Sequence, residues 1–396
     1  MKNLTFCLFV ILLLTGCTKK DDFAIPVWHC LEIPFTAEKA YNNPLDGTEL
    51  CEMDVVFTHA DGTEIRRPAF WDGENSFKVR FAPIKPGRWE YQTVCEQERS
   101  LSGIKGFIKA VEYDGGLDIY KHGFLTISDN KRFFIHNDGK PFFYLGDTHW
   151  SLPFEAFESS NVPGITSQFK HIVDTRIKQG FTVFQSEPIQ WKNHTGQDAI
   201  YDLTTFDPEV LGGFANLDRK FKYLADKGMV HANAQLFFAN ELGVKMEKYP
   251  YTYIESLTRY WVARYGAYPV MWTCAQEVDN DFYFDREGDQ RNFDAENNPW
   301  IIVAKSLYKY DAYHHPLTAH MEYASGDAPN DGHGTIASNS SFKNIEGHNW
   351  YACQWSPNKK GQLDFRVPKD FWNSQPVKPT VNYEGHRRLL NRRGNC

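Results

Sequence analysis

A chain of 396 residues with 42% hydrophobic content is long enough for two or three domains with sizeable cores. Its formal charge of −7 arises from interspersed acids and bases, which leaves no basic face for phosphates and makes nucleic acid a poor partner. Aromatic residues make up 15% of the chain, a load that fits well-packed cores and equally a cleft in which pyranose rings stack on indole and phenol.

The N-terminus is the most specific stretch. Lys2 supplies a positive charge ahead of an apolar run from Leu4 to Leu14. That run falls well short of the ~20 residues needed to span a bilayer, but suits the core of a signal peptide. It ends in Leu14-Thr15-Gly16-Cys17, which resembles the lipobox of bacterial lipoproteins. The resemblance implies a signal peptide and lipobox over residues 1–17, with Cys17 as the lipid-modified first residue of the mature chain. Lys19-Lys20-Asp21-Asp22, in a linker over 18–22, is similar to the signal that sends Bacteroidetes-type lipoproteins to the cell surface. The implied address is the outer membrane, facing outward. Beyond Cys17 stand Cys30, Cys51, Cys95, Cys274, Cys353 and Cys396, with no Cys-x-x-Cys pair, which argues against a zinc ribbon or a redox motif. Such a compartment permits disulfides, and Cys30, Cys51 and Cys95 share one domain, but the sequence does not choose among their pairings.

Residues 23–113 read as short strands separated by turns. Asp54–Thr58 and Glu64–Arg66 flank Asp61-Gly62, a hairpin signal. Ser76–Phe81 alternates polar and apolar residues, and Pro86-Gly87 turns the chain into Arg88–Thr93, which alternates again. This pattern predicts a small all-β sandwich. Its Ala82–Tyr91 segment resembles the sandwich domain that often precedes barrel glycosidases in bacteria, and that resemblance implies packing against the barrel or weak glycan binding.

From residue 118 to 396 strands alternate with helices. The predicted strands are Phe142–Gly146, Phe181–Phe184, Val230–Phe238, Pro269–Thr273, Leu317–His320, His348–Ala352 and Pro379–Tyr383. Between the first five, apolar residues recur at helical spacing, as in Phe169, Ile172, Val173 and Ile177, or Phe214, Leu217, Phe221 and Leu224. Regular βα alternation in a single unit predicts an α/β TIM-type (β/α)8 barrel over a doubly wound sheet. No Gly-x-Gly-x-x-Gly follows an early strand, which disfavours a dinucleotide fold. The barrel is expected to be C-terminally incomplete, truncated after strand seven, because only a short segment follows Glu384.

In a TIM barrel the reactive groups collect at the C-terminal ends of the strands. Here those ends carry Asp147, His149 and Trp150; Gln185, Ser186 and Glu187, with Trp191 close behind; Gln276 and Glu277; His320; Trp350; and Asn382 and Glu384. Acids, amides, imidazoles and indoles at so many ends suit a sugar cleft. Glycosidic cleavage needs two carboxyls across the bond, and Glu277 and Glu384 fit best: each follows an apolar strand, on opposite sides of the barrel. Two carboxyls suffice for that chemistry without metal or organic cofactor. A metal-dependent barrel hydrolase would place His-x-His after strand one, where this chain has Asp147-Thr148-His149.

Gly146-Asp147-Thr148-His149-Trp150, the Trp-Thr-Cys-Ala-Gln-Glu run from Trp272 to Glu277, and the Lys-Pro-Thr-Val-Asn-Tyr-Glu run from Lys378 to Glu384 together resemble the apiosidase-like barrel glycoside hydrolases of Bacteroidetes. The likeness covers roughly residues 118–390, and the sandwich is a familiar companion domain in that family. It implies Glu277 as general acid/base and Glu384 as nucleophile of a retaining hydrolase acting on plant-type, pectic or apiose-containing polysaccharides. It further implies that Asp147, His149, Gln185, His320 and Trp350 line the sugar subsite, where Trp150, Trp191, Gln276 and Asn382 complete the set. Family members often carry Gly-Gly-Asp where this chain has Ala275-Gln276-Glu277, a longer acid that points to a different sugar. The alternatives are a non-catalytic surface glycan-binding lipoprotein, which would share the anchor and the aromatic cleft but have no use for paired carboxyls, and an inactive truncated hydrolase.

Overall fold

The computed structural model describes residues 24–188, 203, 206–233, 251–274, 299–321, 344–355 and 366–385. Eight strands come first: Ala24–Pro26 (β1), Leu31–Thr36 (β2), Met53–His59 (β3), Glu64–Pro68 (β4), Phe70–Trp71 (β5), Ser76–Phe81 (β6), Gly87–Cys95 (β7) and Lys105–Val111 (β8). They form one sheet in the order β1-β8-β7-β3-β4 and a second in the order β2-β6-β5. Alternate side chains of β3 (Met53, Val55, Phe57) and β6 (Phe77, Val79, Phe81) are buried. Phe57 stacks on Phe81 with ring centroids 3.8 Å apart, so the two sheets close on one core. The β3–β4 hairpin turns at Asp61-Gly62, where Gly62 takes a φ of 90°, a conformation glycine adopts without strain.

An antiparallel hairpin, Leu125–Ile127 (β9) and Phe134–His136 (β10), leads into the second domain. There the chain runs through Gly146–Thr148 (β11), Gln168–Lys178 (α1), Val183–Ser186 (β12), Pro208–Asp226 (α2), Val230–Asn233 (β13), Tyr251–Tyr265 (α3), Val270–Thr273 (β14) and Pro299–Tyr310 (α4). It continues through Leu317–Thr318 (β15), His320–Met321 (β16), Tyr351–Trp355 (β17), Arg366–Asn373 (α5) and Thr380–Gly385 (β18). Local chemistry starts the helices: the Ser167 hydroxyl accepts from the Lys170 N–H, and the Asp207 carboxylate from the Val210 N–H, with Pro208 at the first helical position of α2. Val210, Phe214, Leu217, Phe221 and Leu224 then bury one stripe of α2 at helical spacing.

All these strands pair in parallel and in chain order, β11-β12-β13-β14-β15 and β16-β17-β18, and a Leu317–His348 bridge joins the two runs. With β15 and β16 as one broken strand, seven positions are found among the described residues. A doubly wound sheet would reverse its order at a switch point; this one does not, and that is barrel topology. The first strand lies later than the sequence predicts, at Gly146–Thr148 in place of Phe142–Gly146, and the sixth at Tyr351–Trp355 in place of His348–Ala352. β11 and β18 face each other across a cleft of about 500 Å³ lined by Tyr144, Gly146, Gln185, Thr380 and Asn382 among others. The Thr148 hydroxyl spans it, donating to the Tyr383 carbonyl at 2.7 Å.

The sandwich and the barrel share a buried ionic interface. Arg80 of β6 and Arg264 of α3 both grip Asp218 of α2, at 2.6–3.1 Å. Arg80 also donates to the Arg264 carbonyl at 2.6 Å, and Arg264 pairs with Asp72 at 2.9 Å. Burial opposes ionisation of Asp218, but Arg264 and Arg80 overcome it and hold its carboxyl below the ordinary value. Arg67 donates to the Val262 carbonyl at 2.9 Å, and Arg259 to the Met53 carbonyl at 2.8 Å.

Candidate active site

Parallel pairing sends every C-terminal strand end to the same rim, so the polar residues there converge. Gln185 and Ser186 end β12, with Glu187 one residue beyond, and all three are buried. The Glu187 N–H donates to the Trp150 carbonyl at 2.9 Å, which ties the second strand end to the first. Thr148 donates to Gln185 Oε1 at 3.4 Å, while Gln185 Nε2 is buried with no partner among the described residues. An orphaned buried amide donor is costly, and a sugar hydroxyl is a natural acceptor for it.

Tyr383 reaches furthest across. Its hydroxyl and Thr273 Oγ1 lie 2.9 Å apart, a hydrogen bond from the seventh strand position to the fourth. Burial, then the neighbouring Tyr144 and Glu187, hold the Tyr383 phenol well above its ordinary pKa against the opposing bond to Thr273, so it stays neutral. The strand pairing steps from Cys353–Asn382 to Gln354–Glu384, a bulge that leaves Tyr383 unmatched. Bulges of this kind re-aim side chains beside active sites.

His320 is fully buried, with its ring 6.0 Å from Trp150 and 5.4 Å from Tyr383. Burial pushes its pKa down to about 3, and does the same to His231, whose Nε2 lies 2.6 Å from Ser186 Oγ. Both imidazoles are therefore neutral at working pH. In the unfolded chain they titrate near 6.5, so between about 6.5 and 3 the unfolded state binds more protons. Stability is therefore complete above pH 6.5 and falls as the pH drops, by up to about 1.4 kcal/mol per pH unit for each histidine. Urea denaturation at pH 7 and pH 5 measures this; equal stabilities at the two would contradict neutral burial of the pair.

The expected site residues fall in several places. Trp150 is half-buried and faces His320. His149 Nε2 lies 3.1 Å from Glu155 Oε1, and its backbone N–H donates to the Gln185 carbonyl. Asn382 is exposed and lines the cleft between β11 and β18. Two expectations need correction. Asp147, expected in the sugar subsite, is held by Arg176 of α1 at 2.6 Å, because it alternates with Gly146 and Thr148 and so faces the helix layer. Trp350, expected to line the cleft, is fully buried against Phe134, Tyr144 and Tyr383 and belongs to the interior packing. Glu277, Gln276, Trp191 and Cys17 lie outside the described residues. Glu384 lies within β18 by its backbone pairing to Gln354. The structure adds Thr148, Tyr383 and Glu187 to the site. All three stood inside strand-end segments of the sequence, but only their contacts single them out.

A family model described as an apiosidase-like catalytic domain matches residues 128–392, and one described as a domain of unknown function (DUF5060) matches residues 24–96. Among solved structures the chain is similar to a proposed glycoside hydrolase from Bacteroides vulgatus, at 17% identity and a TM-score of 0.57, over 92% of this chain and 72% of that one. A second similar structure, described as a glycoside hydrolase, gives 18% identity and a TM-score of 0.50 over 67% of this chain and 57% of that one. At such identities the likeness speaks for the fold. No curated protein sequence matches the chain.

Proposed function

Because the chain belongs to the apiosidase-like family and carries a glycoside hydrolase catalytic domain, we propose that it cleaves plant-type glycans, with pectic, apiose-containing ones among the candidates, by a retaining two-carboxylate mechanism. The observation that carries this reading is the 2.9 Å hydrogen bond between Tyr383 and Thr273. Tyr383 directly precedes Glu384, and Thr273 stands four residues before Glu277. The fourth and seventh strand ends thus approach each other across the barrel, which favours Glu277 and Glu384 as partners on either side of one glycosidic bond. Retaining enzymes hold such a pair about 5–5.5 Å apart.

In this reading the Glu384 carboxylate attacks the anomeric carbon while Glu277 gives its proton to the leaving-group oxygen. The glycosidic C–O bond breaks as a glycosyl ester to Glu384 forms. Water then attacks the same carbon, passes a proton to Glu277, and releases Glu384 as a carboxylate. The open Nε2 of Gln185 is suited to a sugar hydroxyl, and the Trp150 indole to the apolar face of the ring. The Leu14–Cys17 lipobox supports a lipid-anchored enzyme facing outward from the outer membrane.

The test is reducing-sugar release by the soluble chain from a panel of pectic and hemicellulosic glycans, with the released sugar identified. Release of apiose from pectic material supports the reading in full. Cleavage confined to hemicelluloses would replace the substrate class, and silence from folded protein across the panel would sink the proposal.

A further inference from the structure

Cys51 lies two residues before β3 begins, and Cys95 closes β7, the antiparallel neighbour of β3, where it pairs with Met53. The two strand ends therefore meet. The sulfurs lie 3.8 Å apart, and both residues are buried. A disulfide needs the sulfurs about 2.0 Å apart, so closing the bond takes a shift smaller than one bond length at each side. We propose that Cys51 and Cys95 form a disulfide, a covalent modification that fastens the sandwich where it docks on the barrel.

The third thiol of the domain is out of reach. Cys30 adjoins Leu31, which pairs with Phe81 at one end of β6, whereas Cys51 shares a small cavity with Phe77 at the other end. Phe77 and Phe81 are four residue steps apart along the strand, roughly 13 Å. The two sulfurs also differ in character. The hydrogen bond shared with Cys51, opposed by burial and aided by the backbone N–H groups of Glu98 and Gln97, lowers the Cys95 thiol. The same contact, with burial, raises Cys51. The first thiolate to form attacks, here written as Cys95. It displaces one thiolate from a small-molecule disulfide such as oxidised glutathione and forms a mixed disulfide. Cys51 then loses its proton and attacks the Cys95 sulfur, which expels the second thiol. Two protein thiols are oxidised, and one external disulfide is reduced to two thiols.

The position gives the bond a purpose. Asn43, in the loop that ends at Cys51, donates to the Tyr253 hydroxyl of α3 at 3.0 Å. Arg259 of α3 donates to the Met53 carbonyl at 2.8 Å and to Asp54 at 2.6 Å. A Cys51–Cys95 bond would pin the strand ends that α3 holds, and an extracytoplasmic compartment would supply the oxidant.

The full chain is equilibrated in a mixture of reduced and oxidised glutathione, alkylated, digested without reductant and mapped by mass spectrometry. The expected result is one cross-linked peptide pair containing Cys51 and Cys95, lighter by two hydrogens than the reduced pair, with Cys30 and Cys274 alkylated after denaturation. Dithiothreitol should then lower the unfolding midpoint of the linked protein by about 5 °C or more. Recovery of Cys51 and Cys95 as alkylated thiols from oxidised, folded protein would overturn the proposal, as would a bond from either of them to Cys30.

Discussion

Glu384→Gln is expected to cut hydrolysis of any glycan the parent cleaves by more than about 10³-fold while leaving the unfolding midpoint unchanged. The amide matches the carboxylate in size but is too poor a nucleophile to open the anomeric carbon, so the glycosyl ester never forms. Roles can be separated with azide. In Glu384→Ala a free azide ion takes the nucleophile's place and gives a glycosyl azide of inverted configuration. In Glu277→Ala the ester still forms, azide then attacks it, and the product keeps the original configuration. If Glu384→Gln retains a tenth of the parent rate, the nucleophile lies elsewhere, and the buried Glu187 at the end of β12 becomes the next candidate.

Arg264→Ala is expected to cost about 3–5 kcal/mol of stability, the range for removing one partner of a buried charge pair. Arg264 is fully buried and serves Asp218, Asp72 and the Tyr260 hydroxyl at once. Without it, Asp218 keeps only Arg80, and Asp72 loses its partner from the barrel. Removing both charges is predicted to restore none of the loss: Arg264→Met with Asp218→Leu also takes Asp218 from buried Arg80, which keeps only Glu32 as its carboxylate partner. Urea denaturation of the three proteins reads both effects. A loss below about 1 kcal/mol for the single variant would mean that water reaches Asp218 and screens it.

The barrel was legible because its strands are short apolar runs set between helical patterns, and that alternation survives any uncertainty about ends. The ends themselves were not. Phe142–Leu145 reads as a strand, yet Phe143 is 75% exposed and the segment is held partly by the Thr182 side chain, so the ladder starts only at Gly146. Apolar character marks what is buried; pairing depends on the neighbouring strand, which local sequence does not record. The ionic interface was hidden for a related reason. Arg80 sits on the polar face of an alternating strand and looks solvent-facing, but the barrel covers that face and leaves it 3% exposed. Asp147 and Trp350 misled in the same way. Residue type and strand end were right for a sugar site, whereas the direction of the side chain is set by alternation and by packing partners brought in from far along the chain.

The Thr148–Tyr383 contact has a mechanical consequence. Around the rest of the sheet each strand is laced to two neighbours by backbone hydrogen bonds, but among the described residues β11 and β18 are laced on one side only. Where they face each other, one hydroxyl spans the gap. Stiffness is therefore uneven around the circumference, and the compliant sector includes the segment that bears Tyr383 and Glu384. A shift of that segment toward or away from the strand-four end would break two hydrogen bonds made by side chains, Thr148 to the Tyr383 carbonyl and Tyr383 to Thr273, and leave every ladder intact. On the proposed assignment that segment carries the nucleophile, so its approach to a sugar would rest on side-chain bonds and not on a backbone ladder at that edge.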